Sequence, residues 1–135
     1  MTQAAYYCCG EIFADASPVC MARVVDYDSQ VITASQVDTA SYSICELKEE
    51  HGQRVLIPVT GQTNVSLWIP NVFYNELQTS AAWTADSQGF NFRHILDNSA
   101  GTLFPKLLSR YLVKYRFQLK DGTPPIFIEF LILTK

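Results

Sequence analysis

The last twenty-five residues constrain the fold more than any other part of the chain. In "YLVKYRFQL" (111–119), Tyr111, Val113, Tyr115, Phe117 and Leu119 alternate with Leu112, Lys114, Arg116 and Gln118. A period of two with one apolar and one polar set is the pattern of a strand with one buried face. "KDGTPP" (120–125) follows, with Asp121-Gly122 as a hairpin dipeptide and Pro124-Pro125 stiffening the exit. "IFIEFLILT" (126–134) then runs back, apolar on both faces apart from Glu129. A bare edge that apolar invites aggregation, so this strand is expected to be central or covered on both sides.

The rest of the chain repeats the theme in shorter pieces. "PVCMARVV" (18–25), "ASYSICELK" (40–48), "VLIPV" (55–59), "NVSLWIP" (64–70) and "GFNFRHIL" (89–96) read as strands. The turns between them are "DYDSQ" (26–30), "EEHGQR" (49–54) with Gly52 available for a positive φ, and "TGQT". "NVFYNELQ" (71–78) breaks the rhythm: Val72, Phe73 and Leu77 can share a helical face, which predicts one or two helical turns at the start of a crossing over 71–88. With about seven strands and turn signals roughly every 8–12 residues, the expected fold is an all-β, antiparallel, immunoglobulin-like β-sandwich with one short helical crossing.

At 135 residues the chain has the length of one domain with a real core. Residues 17–135 are taken as that single domain and residues 1–16 as an extended N-terminal arm. The arm reads either as an edge strand of the domain's own sheet or as a segment that docks on a neighbouring subunit. Tyr6, Tyr7, Ile12 and Phe13 are its candidate interaction residues. Only 17% of the residues are charged, which suggests a surface partly covered by other chains, copies of itself included.

The same totals exclude several classes. Net charge is −3 and the ten Lys and Arg form no basic run, so no nucleic-acid partner is expected. No apolar run approaches the roughly 18 residues that span a bilayer, so no membrane partner is expected. "MTQAAYYCCGEIF" lacks a basic region followed by an apolar core, which predicts synthesis and folding in a reducing cytoplasm. The four cysteines, Cys8, Cys9, Cys20 and Cys45, have no paired C-x2-C spacing and are expected to be reduced and structural. No metal or cofactor is expected: the two histidines sit in unrelated contexts and the six glycines are scattered.

Catalysis has little to stand on. There is no G-x-S-x-G elbow, and thirteen acidic residues supply many carboxylate pairs and no reason to choose one. Glu76, Asp86 and His94 are the residues a small hydrolase would use, but no catalytic residue is assigned and the protein is not expected to be an enzyme. His94 shares a strand face with Phe90 and Phe92, where a histidine serves as a hydrogen-bonding structural residue. Trp83, Phe90, Phe92, Tyr115 and Phe117 form the candidate core. Arg93, on the opposite face of the same strand, is expected to be exposed or to contact another subunit. An exposed Trp68 or Trp83 would instead offer a stacking platform to a carbohydrate or host surface.

Two segments carry a family resemblance. "NVFYNELQTSAAWTADSQGFNFRHIL" (71–96) resembles a pattern in small proteins encoded in phage and prophage structural-gene clusters, through Val72, Leu77 to Thr79, Trp83, Thr84, Asp86 and Gly89 to His94. The hairpin matches through Tyr111, Val113, Tyr115, Phe117, Gly122, Pro124 and Phe130. The layout is also similar to the immunoglobulin-like N-terminal modules of phage baseplate upper proteins, which begin with a strand like "MARVVDYD" (21–28). The resemblance spans roughly residues 20–134, leaves residues 1–16 unmatched, and lacks the coiled coil that follows those modules. It implies a virion structural protein, most simply a capsid cement or decoration protein, with a tail or baseplate component as the alternative. Its partners would be major capsid or tail proteins and copies of itself, giving a homo-oligomer in the assembled particle.

Overall fold

The C-terminal alternation folds into two long paired strands, and the remaining sheet is built around them. The computed structural model describes residues 6–12, 17–26, 28–78, 90–98, 101–106 and 108–134, with the side chains of 6–12, 75–78 and 90 excepted. In chain order the strands are β1 (Tyr6–Ile12), β2 (Val19–Ala22), β3 (Val37–Glu50), β4 (Gln53–Pro58), β5 (Val65–Ser66), β6 (Phe73–Gln78), β7 (Phe90–Ile95), β8 (Arg110–Leu119) and β9 (Ile126–Thr134). A 3-10 turn at Ala34–Gln36 precedes β3, and a four-residue helix α1 (Ile69–Val72) precedes β6.

The fold is all-β, in two sheets. The larger has the order β1-β9-β8-β3-β4, with β5 also pairing β3; the smaller has the order β2-β7-β6. All pairings are antiparallel except β1 with β9, which run parallel from Tyr6↔Ile128 to Ile12↔Thr134. Of the two readings of the arm, this is the edge strand of the domain's own sheet. Phe13 lies outside the described residues. The pairing also makes β9 an interior strand, flanked by β1 and β8.

The sheets meet through the inward set of each strand. Along β9 burial alternates strictly, with Ile126, Ile128, Phe130, Ile132 and Thr134 buried and the residues between them half-buried. On β8 Tyr111, Val113, Tyr115, Phe117 and Leu119 are buried likewise, with Leu112 buried between the first two. Phe92 from the small sheet stands edge-on to Tyr115 and Phe117 of the large one, with ring centroids 4.9 and 5.0 Å apart. Edge-to-face aromatic pairs of this kind add to the area they bury, so Phe92, Tyr115 and Phe117 are core residues as expected.

Residues 73–78 are a correction. The helical periodicity expected over 71–78 ends at Val72, and Phe73–Gln78 is a strand. Three apolar residues make a weak helical stripe, while Phe73 buried beside exposed Tyr74 is a strand alternation. Packing decides it: Phe73 pairs in register with Phe92 and packs edge-on against Phe117 at 4.9 Å. Pro70 fits the start of α1, where its missing N–H is not needed. Trp83 and the Phe90 side chain, both expected in the core, lie outside the described residues.

Candidate functional site

Three places collect chemistry or uncovered apolar surface. The first is the seam between the sheets. Cys20 on β2 and His94 on β7 are register partners, so their side chains lie side by side on the inward face. His94 Nδ1 is 2.8 Å from the Tyr115 hydroxyl, and Tyr115 also hydrogen-bonds Cys20. The ring of Tyr42 lies 5.5 Å from that of His94, and its hydroxyl donates to Gln62 Oε1 at 3.0 Å. Burial pushes the imidazole down to about 4, so it is neutral at physiological pH. The same desolvation raises Tyr115 well above the ordinary phenol range.

A thiol, an imidazole and a phenol in contact are the parts of a nucleophilic relay, but their setting matters more than their types. Cys20 is 2% exposed and Tyr115 is 0% exposed, so no substrate reaches the sulfur without separating the sheets. The cluster satisfies its own hydrogen bonds across the interface, as buried polar groups must. Sequence reasoning placed His94 on this face; the Cys20 pairing depends on register, which no local motif encodes. Glu76 and Asp86, the other residues of the hydrolase alternative, have no described side chains.

The second place is a shallow cavity of about 560 Å³ between the end of β4 and the loop at 101–106. Its charged wall is Glu46, buried at 7%, which pairs with Lys106 at 3.0 Å and Lys48 at 3.8 Å. The hydrogen bond to Glu46 raises the Lys106 pKa. Tyr111 lines the cavity too, its hydroxyl accepting the Lys106 backbone N–H at 2.8 Å. Glu46, Lys106 and Tyr111 here each have a partner, so the site offers shape and an ion pair. Among the described residues there is also no group of three His, Cys, Asp or Glu side chains able to hold a metal, and no helix long and apolar enough to cross a membrane.

The third place is the outward face of the large sheet, opposite the one the small sheet covers. Register aligns its side chains in rows: Leu47–Arg110–Leu133, Cys45–Leu112–Leu131, Ser43–Lys114–Glu129 and Ser41–Arg116–Phe127 across β3, β8 and β9. Leu47 and Leu112 are buried although they stand outside the main core. Leu131, Leu133 and Phe127 are half-buried. Lys114 Nζ sits 4.6 Å over the Phe127 ring. The result is an apolar band bordered by charge, where one polar layer facing water was the simplest expectation for an antiparallel sheet. The sequence signal for it was the two-faced apolarity of residues 126–134.

Among the predicted interaction residues, Tyr6, Tyr7 and Ile12 lie in the edge strand β1, away from Arg93 on the small sheet. Arg93, expected to be exposed or to contact another subunit, is half-buried opposite Met21 on the outward side of β7, the side to which Asn91 ties the loop that carries Val24 and Ile32. Trp68, named with Trp83 as a stacking platform, is 67% exposed; Trp83 lies outside the described residues. Comparison of the chain with known protein families, with curated proteins and with solved structures found no match.

Proposed function

We propose that this chain is a structural protein of a phage particle, a capsid cement or decoration protein that works by binding neighbouring virion subunits and not by turnover. The observation that carries the reading is the outward face of the large sheet, where Phe127, Leu131 and Leu133 form a half-buried apolar band on the side opposite the second sheet. Apolar side chains gathered outside a domain's core mark a surface suited to binding a partner. The groups that resemble catalytic parts are meanwhile spent on holding the two sheets together. Many copies on a repeating lattice need little affinity each, because neighbouring contacts raise the effective concentration.

The immunoglobulin-like form of the sandwich belongs to the same proposal, and strand order supports it. Lettered in chain order, β2, β6 and β7 correspond to B, D and E of one sheet, and β3, β4, β8 and β9 to C, C′, F and G of the other. Tyr111 sits near the start of β8 with its hydroxyl bonded to backbone five residues upstream, the arrangement of the tyrosine corner in that fold. The short β5, pairing with β3, departs from the pattern.

The test is mass spectrometry of purified particles from the phage or induced prophage that carries the gene. Recovery of the chain at high copy number is the expected result; its absence overturns the proposal. A head fraction separated from tails decides between capsid decoration and the tail or baseplate alternative. Trp68 favours one further reading, a carbohydrate- or host-surface-binding module, since an indole 67% exposed is a stacking platform. Under that reading Trp68→Ala abolishes binding to host cell-wall glycans and leaves assembly into particles intact.

A further inference from the structure

We infer that the cavity beside Glu46 binds a small organic monocarboxylate with an apolar body, its carboxylate held by Lys106 and Lys48. Register places Glu46 in one cross-strand row with Ile57 of β4 and Tyr111 of β8. Tyr111 belongs to the core, so the row lies on the inward face of the large sheet. The loop at 101–106 forms the opposite wall and leaves about 560 Å³ between. Every residue that lines this space is among those described. Pockets for small molecules measure about 300–1,000 Å³, so the volume suits one.

Charge selects the ligand. The buried Glu46 carboxylate is bridged by two ammonium groups, with Lys106 Nζ 3.0 Å from Oε1 and Lys48 Nζ 3.8 Å from Oε2. Lys48 lines an adjoining cleft that shares Glu46 as a wall, and there Arg110 pairs with Glu49 at 3.9 Å. Three cationic and two anionic side chains therefore line the two clefts, which leaves one positive charge uncompensated. An ammonium carries more N–H donors than one shared carboxylate can take up. The Lys106 and Lys48 side chains keep 55% and 41% of their area open to solvent, so a second carboxylate has access to both heads. It would make charge-assisted hydrogen bonds there, whereas a cationic ligand meets two ammonium groups.

The remaining wall is apolar, from Ile57, Pro58, Val59 and Pro105. Ile57 is 38% exposed although it stands in the row of a core residue. A hydrocarbon body laid on it removes that surface from water, which an inorganic anion cannot do. The loop is also fixed before a ligand arrives. The Tyr111 hydroxyl accepts the Lys106 N–H at 2.8 Å, and Thr134 Oγ1 donates to the Lys106 carbonyl at 2.8 Å. Asn98 Oδ1 accepts the N–H groups of Leu103 and Phe104 at 3.1 and 3.3 Å. A wall held in this way costs little ordering on binding.

Hexanoate is the probe, with hexanol and hexylamine as controls, each titrated into the full chain and followed by amide NMR. Saturable shifts at Val59, Thr60, Gly101, Thr102 and Lys106 are expected. For a ligand of about eight heavy atoms the dissociation constant is expected in the millimolar range. Hexanol and hexylamine are each expected to bind at least about tenfold more weakly. Lys106→Gln and Lys48→Gln each remove one ammonium and are each expected to weaken hexanoate about tenfold. Glu46→Gln removes the competing carboxylate and is expected to tighten hexanoate severalfold. An ion pair that only holds the loop predicts the opposite for Glu46→Gln, a weaker site. Thermal melts check that the variants fold, and the two control ligands decide the matter on the wild-type chain if one does not. Shifts that fail to saturate or scatter over the surface, hexanol or hexylamine binding as well as hexanoate, or weaker hexanoate binding by folded Glu46→Gln each overturn the assignment.

Discussion

Asn91 is fully buried, and it is tolerated there because its amide is used at both ends. Its Oδ1 accepts the Val24 N–H at 2.6 Å, and its Nδ2 donates to the carbonyls of Val24 at 2.9 Å and Ile32 at 2.8 Å. The side chain thus pins the loop after β2 to the small sheet where no ladder runs. Asn91→Ala removes the partner of a buried N–H and of a buried carbonyl together. Orphaning buried polar groups costs about 1–3 kcal/mol each, so a loss of about 2–6 kcal/mol is expected in urea unfolding. Asn91→Asp is expected to be no better, because a carboxylate cannot donate to the two carbonyls. His94 acts at the same scale through protonation. Its ordinary pKa of 6.5 falls to about 4 on folding, because burial disfavours the charged ring. The folded chain therefore binds the proton less readily, and the stability from His94 is complete above pH 6.5. It declines as pH falls from 6.5 towards 4, where the folded form protonates as well. Allowing for the solvent that reaches a half-buried ring, the loss is about 1–2 kcal/mol. Melting temperatures of the wild type and His94→Gln across pH 4–7 check this. The two curves are expected to converge at the acid end, and parallel curves would show that another group sets the slope.

The elements differ in how much of themselves the sequence declares. Alternation in residues 40–48, 89–96 and 110–134 marked β3, β7, β8 and β9, because a strand covered on one face writes its burial directly into a period of two. The hairpin joining β3 and β4 was legible too: His51 at φ 53° and Gly52 at φ 77° are the two left-handed positions of a two-residue turn. Three things were not legible. The strand β6 follows a helical turn with too few apolar residues to set a period, and only Phe92 and Phe117 give Phe73 its place. The parallel pairing of β1 with β9 joins residues more than a hundred positions apart, and no turn signal announces it. The contact of Cys20 with His94 and Tyr115 needs both register and layer to be known. Tyr111 shows a link between elements that is open to test. Its hydroxyl ties the start of β8 to the backbone of Lys106, fixing the loop that buries Leu103 and Phe104. Tyr111→Phe keeps the packing and removes that bond, so a loss of about 1 kcal/mol in chemical denaturation is expected. A loss much larger than that would mean the loop detaches as a whole.

At the scale of the molecule, β8 is the spine. It pairs with β9 on one side and β3 on the other, it carries the inward aromatic row, and its outward side chains fill the centre of the sheet's other face. The edges are treated differently. On β4 the hairpin phase directs the N–H groups of Gln53, Val55 and Ile57 towards β3 and those of Arg54 and Leu56 away from it. Pro58 ends the strand on the same outward side, where it has no N–H to offer. A proline and an arginine on a short edge are features that discourage strand addition, so the β4 edge is expected to stay open to water. Amide hydrogen exchange reads this. In the β8 segment facing β3 and β9, exchange is expected to require global unfolding and to be slower by orders of magnitude than at Arg54 and Leu56, which open locally if at all. Protection at Arg54 and Leu56 equal to that in β8 would instead place a strand against the β4 edge.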